Sequence, residues 1–224
     1  MRATFEYRQK LVHDQDATSS VFDVFPRFLD IPGLIDQDFS LMFGDEVSGK
    51  FLAKWPSYLK PKVIRESQSL PFSLHVEELR AGCNPETEND HGWDSDMSAL
   101  LLLLHLLPPT SSGHKKTVKI TAAQAEDHLF RFVEYAKHIH LCLCNYSMES
   151  ASLHSWRKIP CNALTSVGAF DGLFKAHYVF SLSYDEAHFS FYTFIQTTVY
   201  NIDVGSAKET PRVKELRAQL LREP

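Results

Sequence analysis

At 224 residues, with 44% apolar and 12% aromatic content and a formal net charge of -5, the chain is long enough for one large domain or two small ones around a buried core. The acidic balance excludes an indiscriminate binder of polyanions, which carries a clustered basic excess. Four cysteines (Cys83, Cys142, Cys144 and Cys161) are too few for a disulfide scaffold, and the opening MRATFEYRQK has no apolar signal core. Reduced thiols in the cytoplasm, with the nucleus as the alternative compartment, are therefore the expectation. Asn145-Tyr146-Ser147 matches a glycosylation acceptor, a motif without meaning in a chain that is not secreted.

In chain order, Met1–His13 places Phe5, Tyr7, Leu11 and Val12 in a broken helical pattern with no start signal, and reads as the continuation of upstream sequence. Val21, Phe22 and Phe25 fall on one side of Thr18–Leu29, and Pro32-Gly33 is a turn. Asp36 is expected to cap a short helix in which Phe39, Met42 and Phe43 share a face, with Gly44 as its left-handed stop. Asp45 starts the next helix, with Val47, Phe51, Leu52 and Trp55 facing inward. Pro56 and Pro61 lack the N–H that a helix interior uses, so Asp45–Ser69 is two helices or one kinked helix. Leu74–Ala81 is a further short helix. The acidic, turn-rich Ala81–Asp96 reads as a solvated loop and as the best internal boundary.

Gly92–Pro109 organises the rest. Asp94 and Ser95 can accept hydrogen bonds from the free N–H groups of a starting helix, and Pro108-Pro109 cannot continue one. Between them Leu100–Leu104, Leu106 and Leu107 leave no polar face, so this helix has to be surrounded by protein. It is not a membrane span, which takes roughly 20 apolar residues. His105 inside the run reads as a hydrogen-bonded core histidine with no nameable acid partner.

After a polar loop at Thr110–Lys116, Thr121 and Gln124 form a capping box, continued as an amphipathic helix by Ala125, Leu129, Phe132 and Val133. His138–Asn145 alternates with strand spacing, and Ser155–Pro160 is its partner strand. Phe170, Leu173, Phe174, His177 and Tyr178 fall at helical offsets. Ser183-Tyr184-Asp185-Glu186 is a second capping box, opening an aromatic helix that runs to Ile202. Thr210 and Pro211 then start a tail helix with Val213, Leu216, Leu220 and Leu221 as an apolar stripe.

Few of these residues assemble into chemistry. Gly44-Asp45-Glu46-Val47-Ser48-Gly49-Lys50 has P-loop spacing up to the lysine, but Phe51 stands where magnesium needs Ser or Thr. It reads as a helix stop followed by a helix start. His138, His140, Cys142 and Cys144 offer metal ligands on one strand face; same-face neighbours lie roughly 7 Å apart. Two could thus share a zinc, with Cys161 or His154 completing it. Asp90, His91, Asp94 and Asp96 fit no calcium loop. No nucleophile elbow, HExxH or paired-cysteine zinc pattern is present, and His114-Lys115-Lys116 is too short for a nucleic-acid patch.

Several longer stretches carry a resemblance: Phe25-Pro26-Arg27-Phe28-Leu29-Asp30, Gly92-Trp93-Asp94-Ser95-Asp96-Met97, the leucine run ending in Pro108-Pro109, Gly168-Ala169-Phe170-Asp171, Leu173 to Phe180, Ser183-Tyr184-Asp185-Glu186, and Gln196 to Asp203. From about Phe25 to the tail the chain resembles the C-terminal region of sterile alpha motif domain-containing protein 3-like proteins of vertebrates. The sterile alpha motif itself is not visible in these residues, so its polymerising role is not carried over, and the resemblance supplies no catalytic residues.

The expectation is a mainly α-helical chain, with about eight or nine helices around Ala99–Leu107 and a small β-hairpin near 138–160. It is read as one helical domain that, if it divides, does so into 1–90 and 91–204 ahead of an amphipathic tail at 205–224. The expected role is a non-catalytic intracellular interaction or scaffold module, with no cofactor. It would bind protein partners or a second copy through the C-terminal aromatic helices and through Val213, Leu216 and Leu220. Membrane and nucleic acid are not expected partners. The alternatives are a zinc-binding or enzymatic protein using His138, His140, Cys142 and Cys144, and a nucleic-acid-associated regulatory factor.

Overall fold

The chain is mainly helical, as its periodicity requires. A computed structural model describes residues 2–14, 21–84, 94–109, 121–138, 140–143, 157–160 and 163–222. The first elements are α1 (Phe5–His13), α2 (Val21–Val24), α3 (Leu34–Phe43), α4 (Asp45–Lys54), α5 (Lys60–Glu66) and α6 (Leu74–Gly82). Next come α7 (Ser95–Leu106), α8 (Ala122–His138), strands β1 (His140–Leu143) and β2 (Arg157–Pro160), α9 (Ser166–Val179), α10 (Phe189–Phe194) and α11 (Pro211–Leu221). The strands form the expected antiparallel pair, with Leu141 opposite Ile159 and Cys142 opposite Lys158.

Two compact units share the chain, each built from two separate stretches: 1–48 with 131–183, and 49–130 with 184–224. This differs from a division into 1–90 and 91–204. Residues 85–93 of the acidic stretch at 81–96 lie outside the described residues, and α6 before them packs against α7 after them within the second unit.

In the first unit α3 packs on α9. Edge-on aromatic contacts of Phe39 with Phe174 and of Phe43 with Tyr178 line the seam. Phe22, Phe28 and Phe180 form a second ring cluster. Arg8 and Asp38 lie buried beside them in a two-bond ion pair, Nε to Oδ2 at 3.0 Å and Nη2 to Oδ1 at 2.5 Å. The guanidinium also faces the rings of Phe25 and Phe28, so α1 is tied down by a cation rather than by an apolar stripe. Asp36 does not cap α3. Left-handed Gly33 (φ 80°) turns the chain directly into the helix, and Asp36, in its first turn, pairs with Lys175 at 2.7 Å.

In the second unit Met97, Ala99–Leu104 and Leu106 of α7 are all wholly buried, as a helix without a polar face must be. Asp94 caps it by accepting from the Met97 N–H at 2.9 Å. Its other end is closed by Arg212, whose Nε donates to the Leu106 carbonyl at 2.9 Å. Asp96 accepts from Trp55 Nε1 (2.9 Å) and Lys60 Nζ (2.7 Å), clamping the start of α7.

Between α4 and α5 the helix does not break at its prolines. It widens into a π turn over Trp55–Leu59, with Pro56 at the start of that turn and Pro61 in the first turn of α5, so the missing N–H groups fall where the bonding pattern changes. Gly44 (φ 87°) ends α3 and α4 follows at once, the stop and start expected where P-loop spacing occurs.

The second capping box does not form. Asp185 instead closes a turn, its side chain accepting from the Ala187 N–H and its carbonyl from the His188 N–H. The aromatic helix therefore begins at Phe189, passes into a π segment at Ile195–Tyr200, and stops at left-handed Asn201 (φ 57°).

Candidate functional site

Three helices of the second unit converge on one carboxylate. Ser73 caps α6 by accepting from the Val76 N–H at 3.2 Å, which sets His75 in the first turn. His105 is the next-to-last residue of α7. The Thr121–Gln124 capping box starts α8, with Gln124 Oε1 accepting from the Thr121 N–H (2.9 Å) and Thr121 Oγ1 from the Gln124 N–H (3.2 Å). One turn on, Glu126 points into the cluster. His188 Nε2 donates to the neighbouring Ala125 carbonyl at 2.8 Å and holds that turn in place.

His75 Nε2 lies 2.7 and 2.8 Å from the two Glu126 oxygens, and His105 Nε2 lies 2.8 Å from Oε2. The imidazole centroids are 5.8 Å apart. Exposure falls from the His75 side chain (42%) to those of His105 (15%) and Glu126 (10%). Burial pushes the Glu126 carboxyl up, but the hydrogen bond from His105 and the charge and hydrogen bond of His75 outweigh it and hold the group below the ordinary carboxylate value. On the far side of His75, Nδ1 is 3.8 Å from Glu78 Oε2. Two imidazoles on one carboxylate can do two things: clamp three helices by hydrogen bonds, or offer two nitrogens and an oxygen to a cation.

The residues singled out from the sequence lie elsewhere. His138 ends α8 and is not on the strand, because the helix opened by the capping box runs 17 residues, through that position. His140 and Cys142 are on β1, whereas Cys144, His154 and Cys161 lie outside the described residues, as do Asp90, His91 and His114–Lys116. Asp94 and Asp96 are the cap and the clamp of α7.

Val213, Leu216 and Leu220 are buried, because α11 packs its stripe against α5 and α10. This corrects the expectation of an interaction surface there: the stripe belongs to the core. Cys83 is a buried free thiol that burial pushes up to about 11, so it stays protonated and inert at neutral pH.

The sequence pattern marks His105 but names no partner for it, and it marks neither His75 nor Glu126. Glu126 left a trace nonetheless, since it falls at i, i+3, i+7 with Leu129 and Val133 on the apolar stripe of α8.

No protein-family model matches the chain, and neither a curated protein nor a solved structure does. Fold and site thus define a mainly α-helical protein with a small hairpin and a His–Glu–His centre. Among the described residues no helix is long and apolar enough to cross a membrane.

Proposed function

We propose that the chain is a non-catalytic protein-interaction module of the cytoplasm, the role implied by its resemblance to sterile alpha motif domain-containing protein 3-like proteins. The observation that supports this reading is an exposed apolar pair at the entry to α6. Phe72 and Leu74 are 78% and 75% exposed. Ser73 between them is extended (φ -150°, ψ 145°), so the two side chains share one side of the chain. Pro71 before them and the Ser73 cap between them restrict the segment, so little entropy is lost when a partner covers it.

Covering each side chain would contribute about 1.5–3 kcal/mol, enough to anchor a partner that offers an apolar groove. The buried charges of Arg8 and Lys175 are engaged in holding helices together, Arg8 with Asp38 and Lys175 with Asp36. The buried thiol of Cys83 suits a reducing compartment. A protein of complementary shape, or a second copy of the chain, is the partner this surface fits.

The test is affinity purification of the tagged chain from cells, set against its Phe72→Ser/Leu74→Ser variant, together with sedimentation of each purified protein. Both sites are exposed, so the variant keeps its thermal midpoint. It should lose specific partners or the self-associated form. The same partners and the same sedimentation for both proteins would overturn the reading.

A further inference from the structure

We propose that His75 Nε2, His105 Nε2 and the Glu126 carboxylate form a binding site for one zinc ion, with the remaining coordination left to water. The inference is independent of the interaction reading and stands on geometry. One donor atom from each residue can be chosen so that all three lie within 4.8 Å of one another. Zinc holds imidazole nitrogen and carboxylate oxygen at about 2.0–2.2 Å, which sets tetrahedral donors about 3.3 Å apart. The His–Glu contacts of 2.7–2.8 Å need to open by only about half an ångström to admit the ion.

Two nitrogens and one carboxylate also favour zinc over calcium or magnesium, which take all-oxygen shells. Three protein ligands with a free position are the arrangement in which zinc keeps a bound water.

Each donor is fixed independently. The Ser73 cap sets His75, the enclosed α7 sets His105, and the capping box together with the His188 bond to Ala125 sets Glu126. Zinc takes the lone pair of Nε2 and leaves the proton on Nδ1, which then needs an acceptor. Glu78, one turn along α6 from His75, has Oε2 at 3.8 Å from that Nδ1 and meets the need by a small closure. The half-exposed His75 side chain gives the ion its way in from solvent.

The experiment uses the full chain, stripped with a chelator, titrated with zinc chloride by calorimetry and analysed for bound metal. One zinc per chain and a raised thermal midpoint are expected. His75→Ala should weaken binding by at least about tenfold, Glu78→Gln by up to about tenfold, both with unchanged helical circular dichroism. Glu126→Gln should abolish binding. If that variant fails to fold, His75→Ala decides, read also through the visible ligand-field absorption of bound cobalt. Cys142→Ser should leave binding intact. No zinc uptake, uptake indifferent to His75→Ala, or uptake lost in Cys142→Ser would each overturn the site.

Discussion

Glu126 occupies a place on the apolar stripe of α8 where a carboxylate loses its water and has to find replacement donors. Two imidazoles supply them, 51 and 21 residues away in sequence. Because the folded carboxyl is held below its ordinary value of 4.5, the folded chain binds that proton more weakly than the unfolded chain. The contribution to stability is therefore complete above the unfolded value and is lost as pH falls through the lower, folded one. Urea unfolding of the metal-free protein should show a decline in this acid window that is smaller in Glu126→Gln. At neutral pH the same variant should be less stable by about 1–3 kcal/mol, because two imidazole donors around a buried side chain meet an amide in place of a carboxylate. Equal acid sensitivity in the two proteins would show that Glu126 is not the group responsible.

Among the elements, α7 shows how far local chemistry reaches. Its cap at Asp94 and its all-round burial both follow from the residues that form it. Asp94→Ala should cost about 1 kcal/mol by freeing the Met97 N–H. Leu103→Ala, which opens a cavity in a wholly buried position, should cost about 2–5 kcal/mol. Comparing the two denaturation midpoints tests the ordering, and a larger loss from the cap would contradict the central placement of the helix.

Thr121 with Gln124, and Thr210 before Pro211, were equally legible, since a cap is a bond between residues three apart. The Ser183–Glu186 box misled because Asp185 closes its own turn first. Asp36 misled because Gly33 could already make the corner and Lys175, far along the chain, takes the acid. Pro56 and Pro61 mark a disturbance in the sequence, and the backbone meets it by widening into a π turn that begins and ends at the buried Trp55 and Leu59.

For the whole molecule, the chain passes from the first unit to the second, back, and out again, so neither unit is a continuous segment. Deleting residues 205–224 removes Val213, Leu216 and Leu220 from the core and Arg212 from the end of α7. The truncated chain should lose the cooperative thermal transition of its second unit, followed by limited proteolysis within 49–130; an unchanged digestion pattern would contradict a core role for α11.

The amino-acid sequence by itself determined the helical class, the hairpin near 138–160, the buried leucine helix and most helix starts, because period and capping act over a few residues. Only the tertiary structure decided which acid answers His105, which cation pairs with Asp38, and that the tail stripe faces inward. Those outcomes depend on which distant segments share a desolvated space, and there an unpaired charge is too costly to persist.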